Sequence, residues 1–96
     1  MNIEFTARHF HAPENLRIYT ENEVQRIKKV YDRAVQCQVI LYHEHGLYKA
    51  ELNLSVPQRK FNVTETTDNV TKSIDNAVEK MILRVAKYKD KMQNFH

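Results

Sequence analysis

Ile3, Phe5 and Ala7 alternate with Asn2, Glu4, Thr6 and Arg8, the period-2 pattern of a strand with one buried face. The period then changes. Leu16, Tyr19, Thr20, Ile27, Val30 and Tyr31 share one face of a 3.6-residue repeat, with Val24 at its margin, and predict a helix over about 13–32. Pro13 suits the first turn of that helix, where its missing N–H costs nothing, while Ala12 before it offers no cap. Cys37, Val39 and Leu41 alternate with Gln36, Gln38, Ile40 and Tyr42 as a second strand. Ala50, Leu52, Leu54 and Val56 alternate with Lys49, Glu51, Asn53 and Ser55 as a third, and His45-Gly46 supplies the hairpin turn between the two. Pro57-Gln58-Arg59-Lys60 is the next break. A fourth strand follows, in which Phe61 and Val63 alternate with Asn62 and Thr64. Asp68 or Asn69 can cap a final helix from 70 to about 92, where Val70, Ile74, Val78, Met81, Val85, Tyr88 and Met92 keep spacings of 3 and 4.

The order β-α-β-β-β-α predicts an α+β fold, a four-stranded mixed sheet with two helices packed on one face. A chain of 96 residues has no room for a second core, so residues 1–96 are expected to form one domain. The composition, 42% apolar and 28% charged, is that of an ordinary soluble domain. No segment reaches the ~18 apolar residues that a spanning helix needs. The first residues lack the cationic and then apolar pattern of a signal peptide, so a cytoplasmic location without a membrane partner is expected. The single cysteine, Cys37, cannot form an internal disulfide and suits a reducing compartment. One glycine, Gly46, cannot build the Gly-rich loops that cradle nucleotide phosphates, which excludes that route to many metabolic enzymes.

Charge sharpens the reading. Fifteen Lys+Arg against 12 Asp+Glu give only +3, but residues 70–96 alone carry that excess, six cations against Asp75, Glu79 and Asp90. Lys80, Arg84, Lys87 and Lys91 are spaced 4, 3 and 4, which places them in a band about 60° wide on the last helix, beside its apolar stripe. Lys89 projects on the opposite flank. Arg26, Lys29 and Arg33 make a smaller stripe on the first helix. Cations near a helix C-terminus also complement its dipole and aid solubility. Four in register with no acid among them point further, and two such helices side by side would suit a phosphate backbone.

Other chemistry is sparse. Phe5, Phe61, Tyr19, Tyr31 and Tyr88 fall on expected core faces, which leaves Tyr42 and Tyr48 for outward positions on the hairpin. Two tyrosines do not make the stacking platform of a single-strand reader, so recognition of shape and backbone in structured RNA is the better expectation. His9 with His11, and His43 with His45, are i,i+2 pairs, yet a zinc site needs three or four convergent ligands. Solvated edge histidines, with no metal and no cofactor, are expected. One inward cysteine without an orienting acid makes no nucleophile pair, and no catalytic constellation stands out, so an enzyme is not expected.

The run Ile74-Asp75, Lys80, Arg84 and Lys87-Tyr88-Lys89-Asp90-Lys91, together with Thr6-Ala7-Arg8-His9-Phe10 and Leu16-Arg17, resembles the ribosome hibernation promoting factor family, which includes the ribosome-associated inhibitors. The resemblance covers about residues 2–92, and the element order matches as well. It implies a factor that binds the small ribosomal subunit and its rRNA between head and body. There it occupies the decoding channel, excludes mRNA and tRNA, and silences translation under stress or in stationary phase. By position it implies rRNA contacts from Lys80, Arg84, Lys87, Lys89 and Lys91, from Arg26 on the first helix and from Arg8 after the first strand; Lys29 joins them from the first-helix stripe. Ala7, Glu23, Thr71 and Pro57-Gln58-Arg59-Lys60 depart from the family pattern. The chain stops at His96, so the short form is expected, which the family couples to a separate small ribosome modulation factor. Two other classes remain open to the residues alone: a general double-stranded RNA-binding domain, and a protein-interaction module regulating the transcription machinery.

Overall fold

The chain opens with β1 (Asn2–Arg8), crosses through α1 (Glu14–Val30), and returns as β2 (Gln36–Glu44), which pairs parallel with β1. β3 (Leu47–Val56) and β4 (Arg59–Thr67) add antiparallel, giving the order β1-β2-β3-β4, and α2 (Val70–Gln93) closes the fold. These features come from a computed structural model that describes residues 1–93. Both helices cover the same sheet face, as the sequence pattern predicts: α1 packs on β1 and α2, and α2 packs on β3 and β4. Contacts from Tyr19 to Asp75, Arg26 to Glu79 and Val30 to Lys89 show the helices running side by side in the same direction. Their shared core is Val24, Ile27, Val39, Leu41, Leu52, Leu54, Val63, Ile74, Val78, Met81 and Val85, all essentially buried.

Three local expectations change. The buried stripe of α1 is Thr20, Val24 and Ile27, continuing to Tyr31, so Val24 is central and Tyr19 is 36% exposed. The stripe is turned because α1 meets both the sheet and α2, and the Tyr19 hydroxyl instead donates to Asp75 Oδ1 at 2.5 Å. Pro13 is the N-cap residue itself, with φ −63° and ψ 155° and no side-chain cap. The helix ends at Val30, so Arg33 lies in the following turn rather than on the helical stripe.

The start of α2 is fixed more firmly. Asn69 Oδ1 accepts the N–H of Lys72 at 3.0 Å, the N-cap bond expected of that residue type. The buried Ser73 hydroxyl donates to the Tyr48 carbonyl at 2.7 Å and accepts the Thr67 N–H at 3.0 Å, which ties the first turn of α2 to the ends of β3 and β4.

The two hairpins differ. His45 and Gly46 have φ 53° and 75°, the doubly positive pattern of a type I′ turn that matches strand twist. The second break is two residues, not four: Val56 pairs with Arg59, so Arg59 and Lys60 already belong to β4. Gln58 sits there at φ 67° without being glycine. A left-handed non-glycine residue costs roughly 1–2 kcal/mol, and glycine gives back part of that through unfolded-chain entropy. Gln58→Gly should therefore stabilise the domain by about 0.5–1 kcal/mol and raise Tm by a few degrees. An unchanged or lower Tm would show that the Gln58 side chain contributes to the turn.

Candidate nucleic-acid interface

β4 is a free edge of the sheet, and α2 runs beside it. The flank of α2 facing that edge carries Lys80, Arg84, Lys87 and Lys91. Lys80 Nζ lies 3.3 Å from Glu65 Oε2 of β4, an acid invisible to the periodicity of α2 alone. Arg84 Nη1 donates to the Asn62 carbonyl at 2.7 Å, satisfying part of the edge that would otherwise stay open. Lys87 and Lys91 are exposed and have no ion-pair partner among the described residues. The band is thus divided into a neutralised start at Lys80 and a cationic end.

At that end the Pro57-Gln58 hairpin tip comes alongside. Arg59, Lys60, Arg84, Lys87 and Lys91 line a groove of about 370 Å³, with Phe61, Asn62 and Tyr88, and among the described residues no carboxylate lines it. The Arg59 guanidinium lies 4.8 Å from the Phe61 ring centroid and 5.2 Å from that of Tyr88, a cation–π seat that restrains its plane. Tyr88 in turn meets Phe61 and Tyr31 edge to face. Sequence reasoning left Arg59 and Lys60 without a role, because their proximity to α2 depends on β4 and α2 lying side by side.

The other candidate residues lie apart. Arg26 on α1 is held between Glu23 at 2.9 Å and Glu79 of α2 at 2.7 Å, and these carboxylates, Glu79 first, raise its already high pKa. Arg26 therefore clasps the helices together, and the two helical stripes do not merge into one surface. Lys29 is exposed on α1. Lys89 Nζ donates to the Val30 carbonyl at 3.2 Å, capping the end of α1 from the opposite flank of α2. Arg8 stands at the far end of the sheet on its helix-free face, its guanidinium 5.5 Å from the Tyr42 ring, with Lys49 Nζ 4.3 Å from the same ring. Register places Arg8, Tyr42, Lys49 and Thr66 in one row, six residues along β4 from Lys60 and so about 20 Å from the groove.

Tyr42 does face outward, whereas Tyr48 turns to the helix side and stacks on His43, with centroids 4.1 Å apart and Phe10 edge-on to both. His9 Nδ1 lies 2.8 Å from Glu44 Oε1. Among the described residues no group of three or more His, Cys, Asp or Glu converges as a metal site would require. Burial pushes the Cys37 thiol up to about 12, so at neutral pH it is protonated and a poor nucleophile. The bond to Asp75 pushes the Tyr19 phenol up to about 12, which keeps that donor in place across the physiological range. No helix among the described residues is long and apolar enough to cross a membrane.

A four-stranded mixed sheet backed by two parallel helices, with a cationic groove at one end, defines an α+β domain. The family described as "Sigma 54 modulation protein / S30EA ribosomal protein" matches residues 3–93, and the chain belongs to it. Among solved structures the chain is similar to a ribosomal subunit interface protein from Coxiella burnetii, with TM-score 0.87 and 23% identity over 94% of this chain and 99% of that one. It is also similar to the N-terminal domain of Thermus thermophilus Protein Y, with TM-score 0.84 and 23% identity over 92% and 99%. No curated protein matches the sequence significantly.

Proposed function

We propose that the chain is a non-enzymatic, cytoplasmic ribosome-binding domain that silences translation by occupying the decoding channel of the small subunit. Membership of a family described by a ribosomal protein supports the ribosome as partner. The observation that carries the reading is the groove, which five cations from two elements line with no lining carboxylate among the described residues, the arrangement that suits rRNA phosphates. Arg84, Lys87 and Lys91 are the central contacts, with Lys80, Lys29, Lys89, Arg26 and Arg8 in supporting positions around the domain. Arg26 reaches RNA only by sharing its guanidinium with Glu23 and Glu79, so its contribution is the smallest. The domain body, 47 Å long and about 20 Å across, supplies the bulk that excludes mRNA and tRNA, and a separate ribosome modulation factor acts beside it.

Competition tests this mechanism. Protein bound to vacant small subunits should be released when mRNA and tRNA are added together. Retention of the protein alongside both ligands would contradict occlusion of the channel and favour a peripheral site.

A further inference from the structure

The groove beside the Pro57-Gln58 tip is a half-open concavity lined by side chains of β4 and α2. Its volume of about 370 Å³ falls within the ~300–1,000 Å³ typical of small-ligand sites. Five like charges are drawn together there, an arrangement whose mutual repulsion is relieved by a dense anion. Two of the cations are set before any ligand arrives. Arg59 rests on Phe61 and Tyr88, which leaves the N–H edge of its guanidinium open to an anion. Arg84 is anchored by one N–H on the Asn62 carbonyl and keeps its remaining donors. Such pre-positioning lowers the ordering cost of binding. Next to Arg59, Gln58 holds a left-handed backbone, strain at the point where the tip turns into the groove.

A strand of RNA passing over this end offers its phosphates one at a time. A compact polyphosphate offers several negative charges within one small volume, which matches a groove lined by five cations better. We propose that the groove is a binding site for a compact polyphosphate, either the phosphate chain of a nucleotide or inorganic tripolyphosphate, and that its occupant competes with RNA for the same side chains. The proposal rests on reading the groove as the phosphate-binding part of the ribosome interface. It makes the domain responsive to a small anion, because any ligand held by Arg59, Arg84, Lys87 and Lys91 removes those cations from rRNA.

Isothermal titration of the full chain with inorganic tripolyphosphate, ATP, orthophosphate and adenosine tests it. Tripolyphosphate should bind with one-to-one stoichiometry, orthophosphate at least about tenfold more weakly, and adenosine not at all. ATP matching tripolyphosphate supports a site that reads the phosphate chain, and ATP binding more tightly supports one that also holds the nucleoside. Arg59→Gln should lower tripolyphosphate affinity about tenfold or more, with circular dichroism unchanged, while Arg17→Gln on α1 should have no effect. Equal affinity for tripolyphosphate and orthophosphate, several weak sites, or an unaffected Arg59→Gln would overturn the proposal. Ribosome association is measured on the same preparation. Ribosome binding without tripolyphosphate binding refutes the small-anion site and leaves the ribosome reading standing, whereas the converse refutes the ribosome reading alone.

Discussion

Replacing Lys87 and Lys91 together by glutamate is expected to abolish ribosome association while the domain stays folded. Both side chains are exposed on α2, and neither has an ion-pair partner among the described residues, so their charge is available to RNA. The double change takes the groove from five positive charges to three positive and two negative, that is from +5 to +1. Losing two phosphate contacts flattens the salt dependence by nearly two in log–log slope, and the introduced repulsion brings the expected loss to about a hundredfold or more. The cost to stability is small. Acids near a helix C-terminus oppose the dipole by about 0.3–1 kcal/mol each, well below the ~5–15 kcal/mol that holds a domain. Lys87→Gln with Lys91→Gln should lose affinity to an intermediate degree, which separates lost attraction from added repulsion. Normal co-sedimentation of the glutamate variant, with unchanged circular dichroism, would remove the groove from the interface.

The second large effect concerns the scaffold that aligns α2 with β4. Leu52 lies mid-strand in β3, fully buried, paired with Val39 on one side and Val63 on the other. Leu52→Ala leaves a cavity in a packed sheet-to-helix core and should cost about 2–5 kcal/mol. For a domain of this size that approaches the whole of its stability, so urea unfolding should shift strongly downward. Leu83→Ala is the matched control, because Leu83 is 69% exposed, and it should stay within about 0.5 kcal/mol of the parent. Comparable losses at the two positions would mean that the core is not where the sheet and helices place it.

Much of this architecture is written in the periods of the chain. Strict alternation through Ala50, Leu52, Leu54 and Val56, and the 3–4 spacing from Val70 to Met92, are set by which face each element buries, so element order and layering follow from sequence. The cationic band of α2 is legible for the same reason. What the sequence could not carry is what neighbouring elements do to that band. Glu65 of β4 meets Lys80 across the packing of α2 on the sheet, which no single-helix wheel contains, Glu79 reaches over to Arg26, and Lys89 turns back to the end of α1. Arg59 and Lys60 were hidden in the opposite sense. The four-residue break around Pro57 is a two-residue turn held by Gln58 in a left-handed conformation, and shortening it places both cations on β4, Arg59 on the side facing the end of α2 and Lys60 beside it on the groove's edge. The displaced stripe of α1, with Val24 central and Tyr19 at the margin, has the same origin, because a helix packed against two partners buries the side between them.

Co-sedimentation of the protein with vacant ribosomes and with separated subunits, across a salt series, tests the central claim most directly. Stoichiometric binding to the small subunit that falls steeply as salt rises is the expected result, with a slope set by the phosphates that the groove and its flanking cations neutralise. Absence of binding at low salt, or binding indifferent to salt, would contradict an interface built on Arg84, Lys87 and Lys91.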